Sequence, residues 1–240
     1  MTSRAMTALT ILTLSTLAAA PAMAQSVMMK YNGTGLGSNV RVTFGTTTND
    51  VFAGQLRHSI TSPTNTDPRL NGNFVTFCID LAQVVSGQNR AFDVVQLNTA
   101  PAILGDKVMR ASALESLFAN VGNAPLMWNT SNDYAAAFQL AIWEIVNDFD
   151  STKANAGLDI TSGEFTARRT NNAALTSGVM NNLNTFLGFA RAGTSMPMSH
   201  SLLGIANGTN QDQVAVIPTP AAAALAGLGM GLIAARRRRA

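Results

Sequence analysis

One cysteine, Cys78, stands in a chain of 240 residues, so no intramolecular disulfide can staple this fold. Histidine is nearly as scarce: His58 and His200 are the two present, and they lie too far apart to suggest a zinc-binding pair. Charge is thin as well, with sixteen basic and thirteen acidic residues. Five of the basic ones are Arg4 and Arg236 to Arg239, at the two ends of the chain. Setting these aside leaves eleven basic residues against thirteen acidic, a net charge of about −2 for the part between. No basic patch remains there, which argues against nucleic-acid binding. There is no internal repeat and no Gly-x-Ser-x-Gly elbow of the kind that presents a serine nucleophile.

The two ends carry targeting patterns. Residues 1–24 combine one positive charge at Arg4, an apolar stretch over 8–20 and the small residues Ala22 and Ala24 before Gln25. That is the pattern of a cleavable secretory signal, so the mature chain is expected to begin at Gln25 after cutting by signal peptidase. At the other end, Pro218-Thr219-Pro220 precedes an Ala/Leu/Gly run over 221–235 and the cluster Arg236, Arg237, Arg238, Arg239. The run is close to the shortest helix that spans a bilayer, and the arginines behind it are expected to stay cytoplasmic. This order of elements resembles the PEP-CTERM sorting signals of Gram-negative bacteria, with Pro218-Thr219-Pro220 where that family usually has Pro-Glu-Pro. The resemblance implies transient inner-membrane anchoring, processing by an exosortase, and a final place in the cell envelope, on the outer surface or in the extracellular matrix. A plain tail anchor is the alternative reading.

Between the ends, residues 25–212 read as one domain, with residues 213–240 assigned to the tag. The body is rich in Asn, Thr, Ser and Gly, residues that form turns between short apolar runs. Strands are expected over residues 27–31, 39–44, 50–60, 74–81 and 91–97, with turns at Asn32-Gly33, Thr48-Asn49-Asp50 and Ser86-Gly87-Gln88-Asn89. The last of these turns predicts that strands 74–81 and 91–97 pair. After Pro101 the hydrophobic period changes to that of helices, over residues 106–121, 132–148 and 171–191. A final strand over 213–217 leads into the tag. The expected fold is α+β: a β-sandwich or barrel-like sheet with an inserted group of about three helices, flanked by a signal helix and a short C-terminal transmembrane helix.

Two segments carry the chemistry, Thr76-Phe77-Cys78-Ile79-Asp80-Leu81 and Ala137-Phe138-Gln139-Leu140-Ala141-Ile142-Trp143-Glu144. They resemble the paired motifs of bacterial thioester domains, where an aromatic-Cys-aliphatic strand lies against a helix bearing Gln and then Ala-Ile-Trp. The residue before the Gln, commonly Thr in that family, is Phe138 here. Carried over by position, the resemblance implies that the Cys78 sulfur and the Gln139 side chain join with loss of ammonia. Phe77, Phe138 and Trp143 are then expected to shield the bond, and Gln139 and Trp143, four apart on a helix, share a face. Such a thioester survives until an amine or hydroxyl of a partner, on a polysaccharide or a surface protein, takes the acyl group. This reading needs no cofactor or metal and describes an attachment protein rather than an enzyme. The rival reading is a non-covalent matrix protein in which Cys78 is inert core. A third, glycan hydrolysis, would need Glu144 and Asp80 to face one cleft.

Overall fold

The computed structural model describes residues 25–62, 68–122, 126, 130–193 and 200–218. The expected signal segment with Ala22 and Ala24 lies outside them, as does the expected membrane segment with Pro220 and Arg236 to Arg239. Among the described residues no helix is long and apolar enough to cross a membrane.

Among the described residues, seven antiparallel strands and three α-helices make an α+β fold. The strands are β1 (Gln25–Phe44), β2 (Thr47–Thr61), β3 (Gly72–Cys78), β4 (Arg90–Gln96), β5 (Phe165–Arg169), β6 (His200–Ala206) and β7 (Gln213–Pro218). Their order is β2-β3-β7-β6-β4-β1-β5, and a further pairing of β2 with β1 closes the sheet on itself. Six strands therefore form a barrel, and β5 extends the far half of β1. Closure leaves these six without a free edge.

β1 and β2 are one long hairpin that serves two layers. The first half of β1 pairs with β4 in the barrel, and the second half pairs with β5. The ribbon crosses itself closely where Gly37 faces Gly54. A Cβ on Gly37 would lie 2.3 Å from the Ala53 carbonyl oxygen, and one on Gly54 would lie 2.3 Å from that of Leu36. Only glycine permits so close an approach of two backbones.

Side chains alternate across the barrel wall. Val27, Met29, Ile60, Phe92, Ile205, Ala215 and Ile217 form an apolar plug inside one half, together with Leu70 from a short 3-10 turn. By register His58, Thr76, Cys78 and Gln213 also point inward, toward the other mouth. Thr76 links this polar row, meeting His58 Nδ1 at 2.8 Å and donating to Gln213 Oε1 at 3.1 Å. Phe77, Val214 and Val216 face outward into the larger core against the helices.

The helices α1 (Lys107–Val121), α2 (Asn132–Asp148) and α3 (Ser177–Ala192) start where the side chains of Asp106, Ser131 and Thr176 accept the amide hydrogens of Met109, Tyr134 and Val179. Each cap satisfies a donor that helix geometry leaves open. α2 is buried on nearly every face, from Ala135 to Val146, packed among α3, α1, β1 and β2.

Several expectations from sequence change. Asn32-Gly33 is an irregularity within β1 rather than a turn, so two expected strands are one. The hairpin turns at Gly45-Thr46 instead of 48–50, whose polar residues simply face solvent on β2. β3 stops at Cys78, and β4 pairs with β1 and β6, not with β3. The chain between them is an eleven-residue excursion, residues 79–89, fixed by Tyr31 N donating to Ser86 O. α3 begins six residues later than expected, at its Thr176 cap. β5 and β6 were not expected. The expected final strand over 213–217 is found as β7, held between β3 and β6.

Candidate functional site

Cys78 is the last residue of β3, and the pairing of β3 with β2 ends two residues earlier, at Leu56 and Thr76. The backbone N–H and C=O of Cys78 therefore lack a strand partner on that side. The side chain of Gln139, from the middle of α2, takes that place. Cys78 N donates to Gln139 Oε1 at 2.9 Å, and Gln139 Nε2 donates to Cys78 O at 2.8 Å. Both bonds are buried and join residues 61 positions apart. The polarity leaves one orientation of the amide, with its oxygen on the N–H and its nitrogen on the C=O.

The sulfur is equally enclosed. Cys78 Sγ donates to Asp80 O at 2.9 Å and accepts from Asp80 N at 3.3 Å. Burial pushes the thiol up to about 12, against which a contact with Trp143 and the Asp80 amide act in the lowering direction; the charges of Asp80 and Asp212 push further upward. At neutral pH the group is a thiol, not a thiolate. Trp143 lies one helical turn beyond Gln139. Its indole N–H approaches the sulfur closely enough to favour negative charge there, yet it meets no described acceptor in full hydrogen-bond geometry.

Phe77 and Phe138 are fully buried in a ladder of tilted rings. Phe138 meets Phe77 at 4.9 Å, Phe118 at 5.0 Å and Phe186 at 5.5 Å between centroids, all near perpendicular. Edge-to-face pairs of this kind add about 0.5–1.5 kcal/mol each beyond the area they bury. The ladder locks β3, α1, α2 and α3 together and so fixes the two motifs relative to one another. Trp143 packs on Phe165 of β5 at 6.1 Å.

A cavity of about 370 Å³ opens beside the residues that follow Cys78, lined among others by Ile79, Asp80, Gln83, Ala102, Leu104, Asn147 and Asp212. Asn147 is the next residue along the Gln139–Trp143 face of α2. Asp212 is buried; its carboxylate accepts from Asn207 N at 2.8 Å and from the Ala102 amide, and burial moves its pKa upward. The cavity gives solvent its way toward the residues flanking the sulfur.

Gln25 and Pro218 fall within β1 and β7, where they pair with Val94 and His200. His58 is buried and burial lowers its pKa to about 4, leaving it neutral. Asp148 caps the backbone of Glu164 and Phe165, and Asp150 caps Thr152. Glu144 is buried among Asp148, Asp159 and Arg191, with one carboxyl oxygen accepting from Asp159 N at 2.6 Å and the other without a partner among the described groups. Asp80 neighbours Asp212 instead, so Glu144 and Asp80 belong to different surroundings. Two residues at the site carried no signal in the sequence. Gln213 stands directly across from Cys78 on β7, and Asp212 O accepts from Ile79 N at 3.1 Å. Their part depends on a strand pairing 135 positions apart, which no local pattern encodes.

No model of a known protein family matches the chain, and no curated protein does. Among solved structures, the chain is similar to the N-terminal thioester domain of a surface protein from Clostridium perfringens. The alignment has 12% identity and a TM-score of 0.38, and covers 74% of this chain and 98% of that one. At that distance the likeness carries no argument, and only the chain's own residues can speak for a function.

Proposed function

We propose that the body is an attachment domain of an exported surface protein, in which Cys78 and Gln139 condense to an internal thioester. The observation that carries this reading is the buried reciprocal pairing of the Gln139 amide with Cys78. It fixes an amide next to the only sulfur of a cysteine in the chain, in a place closed to water. In the condensation, Sγ bonds to the amide carbon, the C–N bond breaks, and the thiol proton leaves with the nitrogen as ammonia. Cys78 N–H is already on the amide oxygen, where charge develops as the sulfur attacks. The acyl group then passes to an amine or hydroxyl of a polysaccharide or surface protein, which approaches through the cavity beside Asp80. Intact mass tests this: the mature chain should be lighter by one ammonia, and the difference should vanish in Cys78→Ala and in Gln139→Ala. Complete labelling of Cys78 by a thiol reagent under native conditions would sink the idea.

Export completes the reading. Signal peptidase releases the chain at Gln25, and an exosortase acts on the tag that holds it briefly in the inner membrane. Replacing Arg236 to Arg239 by alanine should leave the protein unsorted; normal surface delivery of that variant would contradict the role of the tag.

A second reading draws on the bond from Gln139 Nε2 to Cys78 O, which loss of ammonia removes. In it Gln139 is a clamp that completes the sheet edge, and the chain is a non-covalent matrix protein. The same mass measurement separates the two.

A further inference from the structure

We infer that Trp143 serves the sulfur as a hydrogen-bond donor, holding the charge that Cys78 carries when the acyl group leaves it; this rests on the thioester reading. The indole nitrogen is buried and has no partner among the described groups, although Trp143 is 2% exposed. Buried indole N–H groups nearly always find an acceptor, so an orphan calls for an explanation. The group beside it is Cys78 Sγ, and the contact acts to favour the anion. Trp143 also lies four residues after Gln139 on α2, so the helix that delivers the amide delivers the donor.

The resting sulfur has little use for that donor. Acylated, it carries no charge for an N–H to hold, and as the free thiol it gives its proton to Asp80 O and accepts from Asp80 N. During transfer the balance changes. The acceptor nitrogen or oxygen bonds to the acyl carbon, the C–S bond breaks, and the electron pair leaves on sulfur, which then takes the proton released by the acceptor. In that interval the sulfur is a buried anion facing the Asp80 carbonyl oxygen and, beyond it, the carboxylates of Asp80 and Asp212. The Asp80 amide alone opposes them, and the indole N–H supplies the second donor. An interaction that strengthens only as charge appears lowers the barrier rather than the ground state.

The test compares wild type with Trp143→Phe and with a chain carrying 3-benzothienylalanine at 143, which keeps the bicyclic shape and exchanges the N–H for sulfur. Acyl transfer to methylamine should slow by about tenfold or more in both variants, with thermal stability unchanged in the benzothienyl chain. The thiol released by methylamine should then need higher pH for alkylation by iodoacetamide in both. Equal transfer rates and coincident alkylation profiles in all three chains would overturn the inference while leaving the thioester standing. If wild type shows no loss of ammonia, the thioester reading falls by itself, and the alkylation profiles of the free thiol still judge the donor. A shift in the benzothienyl chain supports it even if Trp143→Phe fails to fold.

Discussion

The side-chain amide of Gln139 occupies the position beside Cys78 that a continuing β2 would otherwise fill, bonding both backbone groups of that residue. A helix thus completes a sheet by one side chain. This gives Gln139 a structural duty whatever chemistry ensues, since two buried backbone groups depend on it.

That duty is measurable on a Cys78→Ala background, where no acyl bond can form. Adding Gln139→Ala should lower unfolding free energy by roughly 3 kcal/mol or more, because orphaned buried groups cost about 1–3 kcal/mol each. Urea denaturation of the single and double variants reads the difference. Equal midpoints would show that the amide is not what holds the end of β3.

Stability should fall as pH rises, for a reason located at Glu144. Burial, with Asp148 and Asp159 nearby, raises its carboxyl from the usual 4.5 to about 8. The fold therefore favours the protonated form. Its contribution is fully present below about 4.5 and is lost progressively as pH climbs through about 8. Glu144→Gln keeps the shape without the proton, so its melting temperature should change less across that window. Parallel melting curves for the two chains would contradict the assignment.

Access to the site should run through the cavity lined by Ala102 and Leu104. Ala102→Trp fills part of it without touching Cys78 or Gln139. Loss of ammonia should then proceed as in wild type while transfer to methylamine slows by roughly tenfold, as a blocked approach removes productive geometry. Mass spectrometry reports both events in one sample. Undiminished transfer would place the route elsewhere.

The crossing of β1 and β2 should tolerate nothing larger than glycine. Gly37→Ala puts a carbon 2.3 Å from the Ala53 oxygen and should cost more than about 3 kcal/mol, since backbone on both sides must move. Chemical denaturation checks it. A variant within about 0.5 kcal/mol of wild type would mean that the ribbon bends without strain.

The helices were legible because their signals are local. Residues 132–148 carry a capped apolar period and are found as α2 from Asn132 to Asp148. The strand partners were not. β4 follows β3 in sequence yet pairs with β1 and β6, because residues 79–83 line the cavity instead of turning back. β5 escaped because Phe165 is its single large apolar residue, and β6 because Leu202-Leu203-Gly204-Ile205 is too short and glycine-broken for a period of two to show. At the site, the motifs named Cys78, Gln139 and Trp143, and the structure brings the three together. What they could not convey is the manner of contact: that the amide engages backbone rather than sulfur, and that Phe77 and Phe138 spend their rings on the joint between β3 and the helices.

The pairing of β7 between β3 and β6 has a mechanical consequence. β3 and β7 run antiparallel, with Cys78 opposite Gln213 and the C-terminal end of β7 at Pro218. Tension applied between position 78 and the C-terminal end draws the two strands in opposite directions along their length. Their hydrogen bonds are then strained in shear, several at once, instead of peeling open one after another. In the thioester reading the partner ends on Gln139 of α2, so a load on it reaches this strand pair through the packing of α2 on β3, the Phe138–Phe77 contact included.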